Sequence, residues 1–553
     1  EGGGAEFCWR RNVSICSVTQ SLSESAPSVE FLLWNGLAQS RSELVELPLD
    51  APGARVVELS GGELPSQVVP SLPSITSYGR PAGGAKGTLL FSAELPALGF
   101  RAFRLEWAAM PRQATPRLAE EEEEVVLENE FLRAEFCPKL RILHRITDKA
   151  SGVSVRARQT WLWYWGFAGD GRETKQASGA YIFRPNGSEA LPVSPQPPTL
   201  QVTRGSLADE VLQTFAPWVS QRVRLAKGAR HLEITYTVGP VPIEFGVGKE
   251  VISRISTDLE NAGECHTDSN GREMMRRRRD FRPSWGYNAT DHGEPVAGNY
   301  FPVSTAIFMR DKRAQLTVLT DRSQAGSASV RDGELELMVH RRLLKDDQRG
   351  VGEPLNETER ISPYVGSHQA QHLGQGLVIR GQHYLLLNTP EQAAAAWRPL
   401  MDRTFLPPVP AFLGHGGKAS PVAHYSALTE ALPANVQLVT LEPLGQGLLL
   451  RLAHQFGLGE DDELSKPATV DIASLFAGWR LTRIEERGLT GTIPRTEVLQ
   501  RRVAWAVEGE GRRQPGGSEP FDNLQGKSTA QVTLGPLQIR TFYVEAAPTE
   551  VFV

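Results

Sequence analysis

The chain has 553 residues, a formal net charge of −5 and a pI near 6.2, a balance that gives nucleic acid no electrostatic footing. Its 52 glycines and 38 prolines are 90 of 553 residues, about 16% against roughly 12% on average, which favours turn-rich β structure over helical bundles. No apolar run reaches the ~18 residues that a membrane-spanning helix needs. The chain begins Glu1-Gly2-Gly3-Gly4, without Met and without a charged-then-apolar leader, and reads as a processed or partial polypeptide.

In chain order, residues 1–110 read as a small β-sandwich domain. VEFLLWNG (29–36) is an apolar run ending in a turn, and RVVEL (55–59) follows Pro52-Gly53. LVELPL (44–49) carries a proline that suits an edge strand. GTLLFSA (87–93) and FRAFRLEW (100–107) complete the set. Residues 111–124 hold two prolines and the glutamate run 120–124, whose mutual repulsion marks an acidic linker.

Residues 125–405 read as one large β domain. QTWLWYW (159–165) is an aromatic strand; its rings can stack on sugars, but packing into a core is the favoured reading. Residues 231–238 alternate cleanly: Leu232, Ile234, Tyr236 and Val238 face one way, His231, Glu233, Thr235 and Thr237 the other. That pattern predicts a half-exposed antiparallel strand with His231 in solvent. Gln392 to Arg398 is the one convincing short helix, ended or kinked by Pro399. Residues 406–430 read as a loop. A terminal β-sandwich domain spans 431–553, with two strands about the Pro-Leu-Gly turn in 436–456 and a polar tract at 508–526.

Four Asn-x-Ser/Thr sequons, at Asn12, Asn186, Asn288 and Asn356, fall in polar or Gly/Pro-flanked segments and point to glycosylation in the secretory pathway. His266-Thr267-Asp268 has metal-ligand spacing, yet no second His/Asp group stands near it, and a turn-forming aspartate is favoured. Arg276 to Arg279 on an alternating strand divide between two faces, so some must pair with carboxylates, Asp280 being one candidate, or lie at a sheet edge. Asp346 and Asp347 are the nearest carboxyl pair in sequence, but neighbours on a strand point apart. On a loop, DDQRG (346–350) presents acceptors and a guanidinium, either to a ligand or to its own turn.

Five ordered motifs carry a resemblance: TDSNGRE (267–273), RRRDFRP (277–283), PVAGNYFPV (295–303), LTVLTDRSQ (316–324) and LMVHRRLLKDDQRG (337–350). Together they resemble the C-terminal half of the family 38 α-mannosidases, the lysosomal branch most of all. The resemblance implies an all-β chain of antiparallel sandwiches, its large central one of galactose-mutarotase-like super-sandwich form. It implies a retaining exo-α-mannosidase that removes terminal α-D-mannose from N-linked oligosaccharides. A separate N-terminal catalytic domain is the implied partner and would hold the zinc ligands and both catalytic carboxylates, leaving no catalytic residue and no metal ligand here. Substrate contacts are carried to Arg349 and Asp347, a disulfide to Cys8 and Cys16, and unbridged thiols to Cys137 and Cys265. A lysosomal location and a homodimer belong to the same reading. A stand-alone carbohydrate-binding or scaffold module is the alternative. A mutarotase-type enzyme, needing a histidine and an acid in one cleft, is the third.

Overall fold

The computed structural model describes the chain except residues 1–4, 73–82, 110–115, 173–174, 283, 285–292, 329, 362–371, 414–421, 504–529 and 550–553. Asn288, much of the 111–124 linker and the 508–526 tract therefore lie outside, or partly outside, the described residues. Every strand pairing among the described residues is antiparallel.

The N-terminal sandwich faces two sheets. One has the strand order Glu6–Phe7, Val409–Leu413, Ser28–Asn35, Gly99–Ala108, Gly53–Glu58 and Glu63–Leu64, with His424–Ser426 also against Gly99–Ala108. The other orders Arg41–Leu49, Gly87–Leu95 and Ser66–Pro70, so Pro48 sits on an edge strand as its missing N–H requires. Between them pack Phe31, Phe91, Phe103 and Phe412, with ring centroids 5.4–6.2 Å apart. The stretch 406–430 is not simply a loop. Val409–Leu413 pairs with both Glu6–Phe7 and Ser28–Asn35, inserting Phe412 into the N-terminal core, because alternation puts Pro410 and Phe412 on the buried face.

Cys8 and Cys16 are joined, with Cα atoms 5.0 Å apart, whereas Cys137 and Cys265 lie outside any bridge. Closing so short a loop contributes at most about 2–3 kcal/mol through the unfolded chain. Reduction is therefore expected to lower the unfolding midpoint of the N-terminal sandwich modestly. A non-reducing peptide map that finds both thiols alkylated would contradict the pairing.

The central region stacks two large sheets over one apolar core. One runs from Val125–Glu128 through Ser154–Trp165, Lys249–Thr257 and Glu334–Arg342; the other includes Met274–Arg278, Gln315–Thr320, Ile379–Asn388, Leu232–Val238 and Ala208–Ala216. Arg117–Leu118, inside the linker read from the glutamate run, adds a short edge strand to the second. The aromatic strand is mostly core: Trp161 and Tyr164 are buried, and Trp161 Nε1 donates to Gln221 Oε1 at 2.6 Å. The arginine run lies on an edge strand as expected, but its carboxylate partners are Glu264 for Arg276 and Asp332 for Arg279, while Asp280 accepts from Asn299. Asp268 is the turn-former expected, accepting from the amides of Gly271, Thr305 and Ala306.

Two readings change. The helix runs Ala393–Phe405, so Pro399 lies inside it and does not end it. Pro399 and Ala395, whose carbonyl the proline cannot serve, both border an open cleft, while Trp397 and Met401 anchor the opposite face in the core. His231 is half-buried rather than set on an open face. The polar face of Leu232–Val238 looks into that cleft, a cavity of about 750 Å³ between the central sheet and the Arg41–Leu49 strand. There Arg224, its side chain 1% exposed, binds Glu46 across the cleft and Glu210 at 2.6 Å, and burial with Arg403 nearby pulls His231 down to about 4. Alternation reported a polar face; that a second sandwich covers it was not in the strand's own pattern.

The last region, from 431 on, pairs Val436–Leu444 with Gly447–His454 as the expected hairpin, then Ile539–Pro548 and Trp479–Arg487, over a core that includes Leu450, Ile472, Phe542 and Val544. Arg398 links it to the helix, donating to Glu460 at 2.6 and 3.0 Å.

Candidate functional site

Three central strands end together, with Trp165, Lys249 and Arg342 in one cross-strand row. Beyond that end two non-strand segments, 176–184 and 343–350, fold against each other. Their floor is a buried ion pair: Arg341 Nε meets Glu250 Oε2 at 2.5 Å, and Glu250 is wholly inaccessible. Ser178 Oγ donates to the same carboxylate and accepts from the Arg184 amide at 2.9 Å. Arg341 also donates to the Ile182 carbonyl at 2.9 Å. A second buried carboxylate, Glu336, receives Tyr300 Oη at 2.5 Å, Tyr164 Oη at 3.1 Å and Arg254. Burial, then the negative Glu336, raise both phenols, so neither ionises at ordinary pH.

Asp347 staples the two segments. Its Oδ2 accepts the amides of Tyr181 at 2.6 Å and Ile182 at 2.9 Å, and its Oδ1 accepts the Arg349 amide at 3.1 Å. The side chain is entirely buried, so it serves the loops rather than the surface. The fit requires Gly179, since a Cβ there would stand 2.6 Å from the Asp347 side chain. Gln348 and Gly350 take φ of 59° and 116°, turning the loop tip outward.

What the staple presents is Tyr181, 67% exposed, and an exposed Arg349 whose guanidinium has no hydrogen bond or ion pair among the described residues. Asp346 contributes a buried Oδ1 without a hydrogen-bond partner. Trp165, 45% exposed, lies on the same end, and Phe245, 90% exposed, is in the segment leading to Lys249. The arrangement can bind a polyhydroxylated ring: an aromatic face for its C–H side and a guanidinium fork for its hydroxyls. Of the sequence candidates, Arg349 and Asp347 are therefore held together, one displayed and one hidden. Asp346 and Asp347 do not form a pair of exposed carboxylates. Tyr181 and the Glu250–Arg341 pair were missed. The available signal was Gly179-Ala180-Tyr181, a large ring behind two small residues in a turn.

Among the sequons, Asn12 and Asn186 are exposed, whereas Asn356 is half-buried with its Oδ1 taken by Arg342 at 2.8 Å. No group of three His, Cys, Asp or Glu side chains among the described residues could hold a metal ion. His266 stacks on Phe308 at 4.6 Å. The Nε2 atoms of His340 and His383 are spent on the Leu377 carbonyl and Gln324.

Comparison with known proteins gives consistent findings. A family model described as Glycosyl hydrolases family 38 C-terminal domain matches residues 127–349, ending on Arg349. The chain is 41% identical over 559 residues to the lysosomal alpha-mannosidase of Homo sapiens, covering 99% of this chain and 51% of that protein. It is 34% identical over 560 residues to an alpha-mannosidase of Canavalia ensiformis, covering 97% and 55%. Thus it spans about half the length of the curated relatives it matches. The crystal structure of an alpha-mannosidase from Enterococcus faecalis V583 superposes with a TM-score of 0.58 over 95% of this chain and 57% of that one, at 13% identity, a likeness of fold.

Proposed function

Since the chain belongs to glycoside hydrolase family 38 and carries its C-terminal domain, we propose that it is the β-rich part of a retaining exo-α-mannosidase acting on terminal α-D-mannose of N-linked oligosaccharides. The observation that carries the site assignment is the exposed pair Tyr181 and Arg349, whose backbone amides are held by one buried carboxylate within the matched domain. In this reading the chain binds and orients sugar and leaves bond cleavage to a separate catalytic domain. Retaining hydrolysis needs two carboxyl groups about 5 Å apart, and the buried Glu250 and Glu336 are each neutralised by an arginine and closed to substrate.

Zinc is expected with that other domain. The described residues here do not fit it: no three His, Cys, Asp or Glu side chains among them converge, His266 is stacked on Phe308, both ring nitrogens of His454 are hydrogen-bonded, and Asp268 is consumed by backbone amides. No step through zinc is therefore assigned to this chain. A lysosomal setting reached through the secretory pathway is supported by the relatives' names, by the Cys8–Cys16 bridge and by exposed Asn12 and Asn186.

The test compares residues 1–553 alone with the same chain joined to its catalytic domain, using p-nitrophenyl α-mannoside. The chain alone should give no turnover. The joined protein should turn over, and a chelator should abolish it. Metal-independent turnover by residues 1–553 would overturn the reading.

A further inference from the structure

The seven-stranded N-terminal sheet turns Phe31, Leu33 and Phe103 to its core, and its other face carries an unexpected row. Register aligns Val409, Trp34, Phe100 and Tyr425 on four successive strands. Cross-strand partners share a face, so these side chains form one line, roughly 14 Å long at about 4.8 Å per strand. Trp34 is 37% and Tyr425 41% exposed, and the Phe100 and Tyr425 rings lie 5.8 Å apart. One pleat along the same face, Phe7, Ala411 and Leu32 are in register, and Phe7 stacks at 5.5 Å on Trp9, which is 80% exposed. Scattered exposed apolar residues need no explanation; aligned aromatics on a flat sheet do. Farther along, the same face becomes charged, with Arg104 and Glu30 paired at 2.7 Å, the polar rim expected beside a contact patch.

Side-chain bonds tie this sandwich to the central region. Arg11 donates to the Pro408 carbonyl at 3.3 Å, next to Val409, and Arg380 donates to Ser14 Oγ at 3.2 Å. Arg380 opens the strand whose Ile379 pairs with Val238, and residues 239–248 lead from there to Lys249 in the row with Trp165 and Arg342.

We propose that this aromatic face is a docking surface for the part of the α-mannosidase polypeptide outside residues 1–553, the same body that would complete the Tyr181–Arg349 site. The inference rests on the functional reading above. That occupant is favoured because the relatives are about twice as long as this chain, so a covalently supplied body of comparable size exists in them. A sugar chain is disfavoured: Leu32, Ala411 and Ala102 beside the rings are apolar, and the charged Arg104 and Glu30 on this face are bonded to each other.

The test is hydroxyl-radical footprinting of the full-length enzyme, with Trp479, 47% exposed, as internal comparator. Trp34 and Tyr425 should be oxidised at least about ten-fold more slowly than Trp479, as buried interface residues are. A photoreactive p-benzoylphenylalanine in place of Trp34 should cross-link to residues outside 1–553 of the same polypeptide. Protection of Tyr181 with free oxidation of Trp34 overturns this proposal and leaves the functional reading standing. Free oxidation of both sinks the two together. A cross-link to a second copy or within residues 1–553, or protection that appears only on adding mannose oligosaccharide, also overturns the docking assignment.

Discussion

Glu46→Ala is expected to destabilise the protein by about 3 kcal/mol, with the loss concentrated where the N-terminal sandwich meets the central sheet. Glu46 reaches across the cleft to Arg224 and Arg222, both almost wholly buried; among the described residues Arg224 also meets Glu210 at 2.6 Å and Glu233 at 3.6 Å. Arg224 Nη2 and Arg222 Nε already lack hydrogen-bond partners, so removing Glu46 leaves two buried guanidiniums with one close carboxylate, Glu210, and a more distant one, Glu233. Burial opposes ionisation of Glu46, but Arg224 and Arg222 outweigh it and hold its carboxyl at about 2. An unfolded glutamate titrates near 4.3. The folded pKa is the lower one, so this contribution is complete above about pH 5 and is lost as pH falls through 4 toward 2. The stability gap between wild type and Glu46→Ala should therefore close on acidification. Hydrogen exchange of the Arg41–Leu49 and Leu232–Val238 strands reads it locally; an unchanged exchange pattern in the variant would refute the role. Replacing Glu46, Glu210, Arg222 and Arg224 together by apolar residues of similar volume should recover much of the loss, since the penalty lies in the orphaned charge.

That cleft shows where sequence stops. The period-two pattern at 231–238 was enough for a strand and for the identity of its buried face, because alternation is a local property. It could not say that Glu233 and Thr235 face another sandwich, since the covering strand lies almost two hundred residues earlier. Phe412 was hidden for a related reason. VPAFL is too short to stand out between prolines, and its strand character comes from two partners near the N-terminus. Asp268, whose bonds are within a turn and to the adjacent strand, was read correctly from composition. Asp347 was legible as a turn residue, but its depth was not. Burial of that carboxylate depends on the 176–184 segment, which supplies two of its three amide donors.

Arg349→Ala in the full-length enzyme is expected to lower kcat/KM by roughly ten- to a hundred-fold at an unchanged melting temperature. The guanidinium is displayed on an outward turn with no partner of its own among the described residues, so its removal costs the fold little. What it can supply is a charge-assisted fork to sugar hydroxyls or to a catalytic-domain carboxylate, worth about 1.5–3 kcal/mol when water is excluded. Asp347→Ala is the contrasting change. It strands three backbone amides, two of them on Tyr181 and Ile182, in a site where water does not reach the carboxylate, and each unmet donor costs about 1–3 kcal/mol. That variant should lose both stability and activity, because Tyr181 and Arg349 are no longer held in register. Asp347→Asn keeps the acceptor Oδ1 or Oδ2 but not both, and should fall between. Melting temperature and kcat/KM measured on the same preparations separate the two residues. If Arg349→Ala instead melts early while each folded molecule turns over normally, the arginine is a structural clamp, and substrate binding at this loop is wrong.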